Sequence, residues 1–167
     1  MDLHPIQLRF VAVRELHINS FFPPSTASYT AAAGNLETTS SPFDNATHLL
    51  QAGIIYQSGR MTEPSVEEID AMRASQEQPF RIRVHLVAEF KVDVAKFSVE
   101  QLPSWAKVNA PMILFPFLRE QVYALTARCG YNPIILPMIH VPTIRLEQVE
   151  KQTPPSEISE ERAFVQL

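Results

Sequence analysis

Along residues 80–94 every second side chain is apolar: Phe80, Ile82, Val84, Leu86, Ala88, Phe90, Val92 and Val94 alternate with Arg81, Arg83, His85, Val87, Glu89, Lys91 and Asp93. Successive side chains of a strand point to opposite faces, so this run specifies one strand with a face that must be covered and a face that can stay wet. At about 3.4 Å per residue it would extend roughly 50 Å, long for a small domain. A sheet covered on one side and wet on the other is the habit of antiparallel strands, and a long antiparallel sheet is the expectation.

Other segments supply partners for that strand. Over residues 6–18 the even positions Ile6, Leu8, Phe10, Ala12, Leu16 and Ile18 are apolar and only Arg14 breaks the pattern; Pro23 and Pro24, which cannot donate to a ladder, end it. A weaker strand is expected around 29–36, and another over 48–58, where Leu50, Ala52, Ile54 and Tyr56 alternate with Gln51, Gly53 and Gln57. Ser65 followed by Glu68 is a capping-box pattern and predicts a short surface helix over 65–76. After 105 the period becomes helical: Phe115, Leu118, Val122 and Leu125 form one apolar stripe, and Gly130 stands where a left-handed cap would end the helix. Residues 131–144 are strongly apolar yet hold Pro133, Pro137 and Pro142, which predicts an extended loop that something must cover. The reading is one α+β domain over residues 1–146 and a mobile acidic tail over 147–167, with Pro154, Pro155 and several glutamates.

Composition removes several functions. A chain of 167 residues with 46% hydrophobic and 19% charged residues can form one ordinary core. Its formal net charge of −4 offers no basic field for nucleic acid. No apolar run approaches a membrane span and the N-terminus lacks a secretion signal, so a cytoplasmic location is expected, without membrane insertion. Cys129 is the single cysteine and is expected as a small buried hydrophobe. Four scattered glycines cannot build a phosphate loop, and His4, His17, His48, His85 and His140 have no partner at a metal-ligating spacing. No cofactor, no metal and no catalytic residue is expected, and Glu67, Glu68 and Asp70 read as favourable charges at a helix N-terminus.

The run Ile113-Leu114-Phe115-Pro116-Phe117-Leu118-Arg119-Glu120 is similar to the I-L-F-P-Y-A-R-E of the SecB family, the bacterial export chaperones. At the family's spacing come Thr126-Ala127-Arg128-Cys129-Gly130-Tyr131, where SecB has an Arg, glycine and an aromatic. Leu136-Pro137-Met138-Ile139-His140-Val141 then stands where the family reads L-x-P-V-N-F. The match covers about a sixth of the chain, and the order of strands, helix and crossover loop agrees with it.

The resemblance implies a four-stranded antiparallel sheet packed on a long helix, and a homotetramer built as a dimer of dimers with Phe115, Leu118, Val122 and Leu125 at the oligomer interface. It implies a holdase that works without ATP and binds unfolded polypeptides or preproteins along the crossover loop, through Tyr131, Ile134, Leu136, Met138 and Val141. Met and branched aliphatics give an adaptable surface for many sequences; packing of the same residues on their own sheet is the competing reading. SecB passes clients to the SecA motor through sheet-face acids, including a pair in a segment like K-D-I-S-F-E. This chain reads Arg14-Glu15-Leu16-His17-Ile18-Asn19, keeping Glu15 as the partner-binding acid but losing the second to Asn19, with Arg83 where a further acid would stand. Charge reversal there weakens association with a basic partner. Three functions follow in order: a general or export holdase, a chaperone dedicated to one client such as a toxin–antitoxin antitoxin, and an enzyme or small-ligand protein using the loop as a pocket wall.

Overall fold

The computed structural model describes residues 3–24 and 29–138. Four strands, β1 (Ile6–Ser20), β2 (Gly34–Ser40), β3 (Leu49–Ser58) and β4 (Phe80–Val92), form one antiparallel sheet in the order β1-β4-β3-β2. Helix α1 (Val66–Ala74) lies between β3 and β4, and a short 3₁₀ turn (Val99–Gln101) leads into α2 (Leu102–Arg128). No helix among the described residues is long and apolar enough to cross a membrane.

β4 is interior to the sheet, and its alternation fixes where the core sits. Phe80, Ile82, Val84, Leu86, Ala88, Phe90 and Val92 are all at most 1% exposed, whereas the residues between them are half-buried or exposed. On β3, Leu50, Ala52, Ile54 and Tyr56 come opposite Phe90, Ala88, Leu86 and Val84, so both strands turn one apolar face toward α2. The strand ends at Val92, earlier than the alternation suggests, because the Asp93 amide turns to the Pro5 carbonyl and Asp93 Oδ1 accepts from the Ala95 amide.

β1 departs from simple alternation. Its register against β4 slips between Leu8 and Phe10 and again between Val13 and Glu15. Each bulge adds a residue and exchanges the two faces. The helix-side set is therefore Ile6, Leu8, Val11, Val13, Leu16 and Ile18, opposite the even residues of β4, while Phe10 and Ala12 come opposite Glu89 and Val87 on the other face. Arg14, the residue that broke the pattern, occupies the second bulge.

The expected surface helix forms with both arms of its capping box, the Glu68 amide donating to Ser65 Oγ at 3.3 Å and the Ser65 amide to Glu68 Oε2 at 2.8 Å. α2 is longer than the expected stripe, beginning at Leu102 with Pro103 in its first turn and holding Pro111 and Pro116 inside. Proline is free in the first turn but removes an amide donor further in. Burial of Leu102, Ala106, Ala110, Leu114, Leu118, Val122 and Thr126, all at most 1% exposed, keeps the helix continuous through those two gaps. A step of four residues overshoots a full turn by about 40°, so the buried face winds slowly around the helix above the twisted sheet. Gly130, at φ +79°, ends it as expected, with the Tyr131 amide returning to the Thr126 carbonyl at 3.1 Å. Cys129 at the cap is half-buried against the core.

Candidate functional site

The crossover that follows α2 is extended and alternates in its own way. Tyr131, Ile134 and Leu136 are buried at 4%, 9% and 6% exposure, whereas Ile135 and Met138 stand 69% and 81% exposed. Tyr131 lies against the Phe80 ring, centroids 4.3 Å apart, and meets Tyr29 edge-on. Its hydroxyl donates to the Phe22 carbonyl at 3.1 Å. Burial and the neighbouring Tyr131 and Tyr56 push the Tyr29 phenol up to about 12; it stays protonated and donates to the Asn132 carbonyl at 2.6 Å. The segment is thus tied to the sheet at its start.

Thr126 ties it again. This side chain has no exposed surface; its hydroxyl donates to the Val122 carbonyl at 2.9 Å and accepts from the Ile134 amide at 3.1 Å. Thr126→Val keeps the shape but leaves that buried amide unpaired, which costs about 1–3 kcal/mol. Denaturant unfolding should show the loss, and hydrogen exchange should place it at Ile134, whose protection falls more than that of β4.

The residues singled out in the sequence therefore fall into different environments. Tyr131, Ile134 and Leu136 pack on the protomer's own sheet, Met138 is in solvent, and Val141 lies outside the described residues, as do His140 and the boundary at 146. Of the helix stripe, Leu118 and Val122 are fully buried, Phe115 is 7% exposed and Leu125 is half-buried, all turned to the same core. The outward apolar side chains of α2 are instead Ile113, Phe117 and Tyr123. Sequence reasoning missed Ile135 and Phe117, although each stands beside a residue it did select; the in-and-out alternation of Ile134-Ile135-Leu136 was the available signal.

β1 carries a second uncovered apolar surface. α2 lies mainly over β3 and β4 and reaches β1 least, so Leu8, Val13 and Leu16 keep 38–49% of their surface exposed on the helix side of the sheet. A groove of about 360 Å³ runs between β1 and α2, bounded by Leu8, Arg9, Phe10, Val11, Val13, Leu86, Phe117 and Gln121, with Arg9 and Phe10 reaching its rim from the first bulge of β1. Among the described residues β1 pairs only with β4, which leaves its outer edge of backbone amides and carbonyls without a strand partner there.

The opposite face of the sheet is polar. Glu15 accepts from Arg83 Nε at 2.9 Å, and Arg83 Nη1 donates to Gln57 at 2.7 Å. The two residues that the sequence marked separately, a retained acid and a reversed charge, are thus partners across β1 and β4. Asn19 comes opposite Arg81, and Arg9 pairs with Glu89 at 2.7 Å. His85 lies over Gly53, where an added Cβ would stand 3.2 Å from its Nε2. Burial, then the charges of Arg14 and Arg83, hold the His85 imidazole below its ordinary range.

A family model described as preprotein translocase subunit SecB matches residues 60–152, more than half of the chain. The chain belongs to the SecB family. Among solved structures, the SecB-like chaperone Rv1957 of Mycobacterium tuberculosis, in complex with a ChAD peptide from the Rv1956 HigA1 antitoxin, superposes with a TM-score of 0.59 at 20% identity, covering 83% of this chain and 93% of that one. The four-stranded sheet with its long helix is therefore the SecB-like fold. Uncharacterized protein MJ0357 of Methanocaldococcus jannaschii is 28% identical over 67 residues, 36% of this chain, and the chain spans 43% of the length of that curated relative.

Proposed function

We propose that this SecB-family chain is an ATP-independent holdase that binds unfolded polypeptides in the cytoplasm. The observation that carries the reading is the crossover: its backbone is held by Tyr131, Ile134 and Leu136, while Ile135 and Met138 are largely exposed to water. Exposed apolar side chains on an anchored extended segment give a client area without a pocket that would select one sequence. In this reading Met138 and Ile135 touch the client, and Tyr131, Ile134 and Leu136 shape the segment that carries them. Holding needs no chemical step, and several such segments in one assembly would add avidity.

The assembly is a homotetramer, a dimer of dimers, in which the open β1 edge and the Leu8, Val13, Leu16 and Phe117 surface meet their counterparts in neighbouring protomers. Closed symmetric assembly would remove both the unpaired edge and the apolar groove from water.

The ion pair of Glu15 with Arg83 favours a dedicated chaperone over delivery to SecA, because the one retained acid is already neutralised within the protomer. The SecB-like neighbour bound to an antitoxin peptide makes an antitoxin a sensible first client to try.

Fluorescence anisotropy with a permanently unfolded, reduced and alkylated client tests the reading without nucleotide. Binding of the unfolded but not the native client is expected, weakened roughly thirtyfold in Ile135→Asp/Met138→Asp, since each loses apolar contact worth about 1 kcal/mol. A wild-type chain that ignores the unfolded client would refute it.

A further inference from the structure

The sheet face turned away from α2 and the crossover concentrates positive charge in a chain whose formal net charge is −4. The register turns Arg81, Arg83 and Lys91 of β4 to this face, and Arg9 is brought there by its ion pair with Glu89. Arg14, in the second bulge, is close enough to His85 of the same face to disfavour its protonation. The acids on these strands are fewer. Glu89 is engaged by Arg9 and Glu15 by Arg83, and among the described residues Arg14, Arg81 and Lys91 have no carboxylate partner.

A recess of about 190 Å³ opens among the arginines, lined by Glu15, His17, Gln57, Met61, Arg81 and Arg83. Arg81 reaches across it, one terminal nitrogen donating to the Met61 carbonyl, while its Nε is closed off from water with no hydrogen-bond partner. Arg83 is held in place by Glu15 and Gln57. Two guanidinium groups, one of them fixed and the other incompletely satisfied, flank a space with room for a carboxylate side chain. Guanidinium forks match carboxylates in geometry as well as charge.

We propose that this recess docks an acidic segment of a partner polypeptide, with an Asp or Glu carboxylate entering between Arg81 and Arg83. A protein segment fits better than a nucleic acid, because Glu15 and Glu89 interrupt the face and would repel a continuous phosphate chain, whereas exposed Met61 in the wall of the recess offers apolar contact that a peptide can use. The face is on the far side of the sheet from Ile135 and Met138, so a partner can dock while a client is held.

The experiment is anisotropy of a labelled Glu-rich peptide, and of the same peptide with Gln at every Glu, titrated with the full chain at low ionic strength. The Glu peptide should bind and the Gln peptide should not. Arg81→Gln, which leaves the Glu15–Arg83 pair intact, and Arg83→Gln should each weaken binding about fivefold to tenfold, and added salt should weaken it further. Lys107→Gln on α2 and Ile135→Asp/Met138→Asp should leave it unchanged, which separates this site from the client surface. Equal binding of both peptides, or arginine variants that bind like wild type, would overturn the proposal; so would a single-stranded oligonucleotide of matched charge that displaces the Glu peptide more readily than unlabelled peptide does.

Discussion

Phe80→Ala lowers the unfolding free energy by about 3–5 kcal/mol, the range for removing a fully buried aromatic ring. Phe80 has no exposed surface and its ring is the floor on which Tyr131 and Tyr29 rest. The expected damage is therefore polarised. Besides the shift in denaturant midpoint, the crossover loses the contact that fixes its first residue, so limited proteolysis should cleave near residue 131 at protease levels that spare wild type. A conservative Phe80→Leu retains much of the apolar volume and should lose no more than about half as much. A uniform rise in susceptibility along the whole chain would show that Phe80 supports the core without holding the crossover.

Val13→Asp/Phe117→Asp breaks the assembly while leaving each protomer folded. Both side chains are exposed in the protomer, at 49% and 40%, so neither substitution disturbs its core. In the proposed tetramer they are covered, and an unpaired carboxylate closed off from water costs several kcal/mol. Association should weaken at least about a hundredfold. Light scattering coupled to chromatography should find a species of about four subunits for wild type and smaller ones for the variant, with unchanged far-ultraviolet circular dichroism. A variant that keeps the wild-type mass would exclude the β1 and α2 surface as the interface.

How much of this was readable in advance depended on whether one face of each element was buried. β4 was legible because its alternation is unbroken and its burial follows it residue by residue. β1 was legible as a strand but not in its faces: the apolar set Ile6, Leu8, Val11, Val13, Leu16 and Ile18 changes parity twice, and the bulges that explain this are backbone events with no glycine to announce them. β2 forms over Gly34–Ser40, offset from the weak strand expected at 29–36, and every residue of it is exposed, so no apolar pattern could mark it. The first half of α2 was hidden by Pro103, Pro111 and Pro116 and by the use of small residues, Ala106 and Ala110, where it meets the sheet.

The candidate site was legible as a region more than as individual side chains. An apolar, proline-rich loop must be covered, and the sequence cannot say whether its own sheet or a client covers it. The structure divides the loop, Tyr131, Ile134 and Leu136 inward and Ile135 and Met138 outward, because the Tyr131 ring has Phe80 to pack on and the Ile134 amide has Thr126 to reach. On the other face, the sequence marked Glu15 as a retained acid and Arg83 as a departure, each by itself; antiparallel pairing of β1 with β4 joins them into one ion pair and leaves Arg81 beside it.

The measurement that bears most directly on the holdase reading is light scattering of a chemically denatured protein diluted into buffer with and without this chain, ATP omitted. Aggregation should be suppressed as the chain approaches the client in concentration, and the held client should remain soluble and refoldable on release. Scattering that rises identically with and without the chain, at concentrations where it is assembled, would contradict the account.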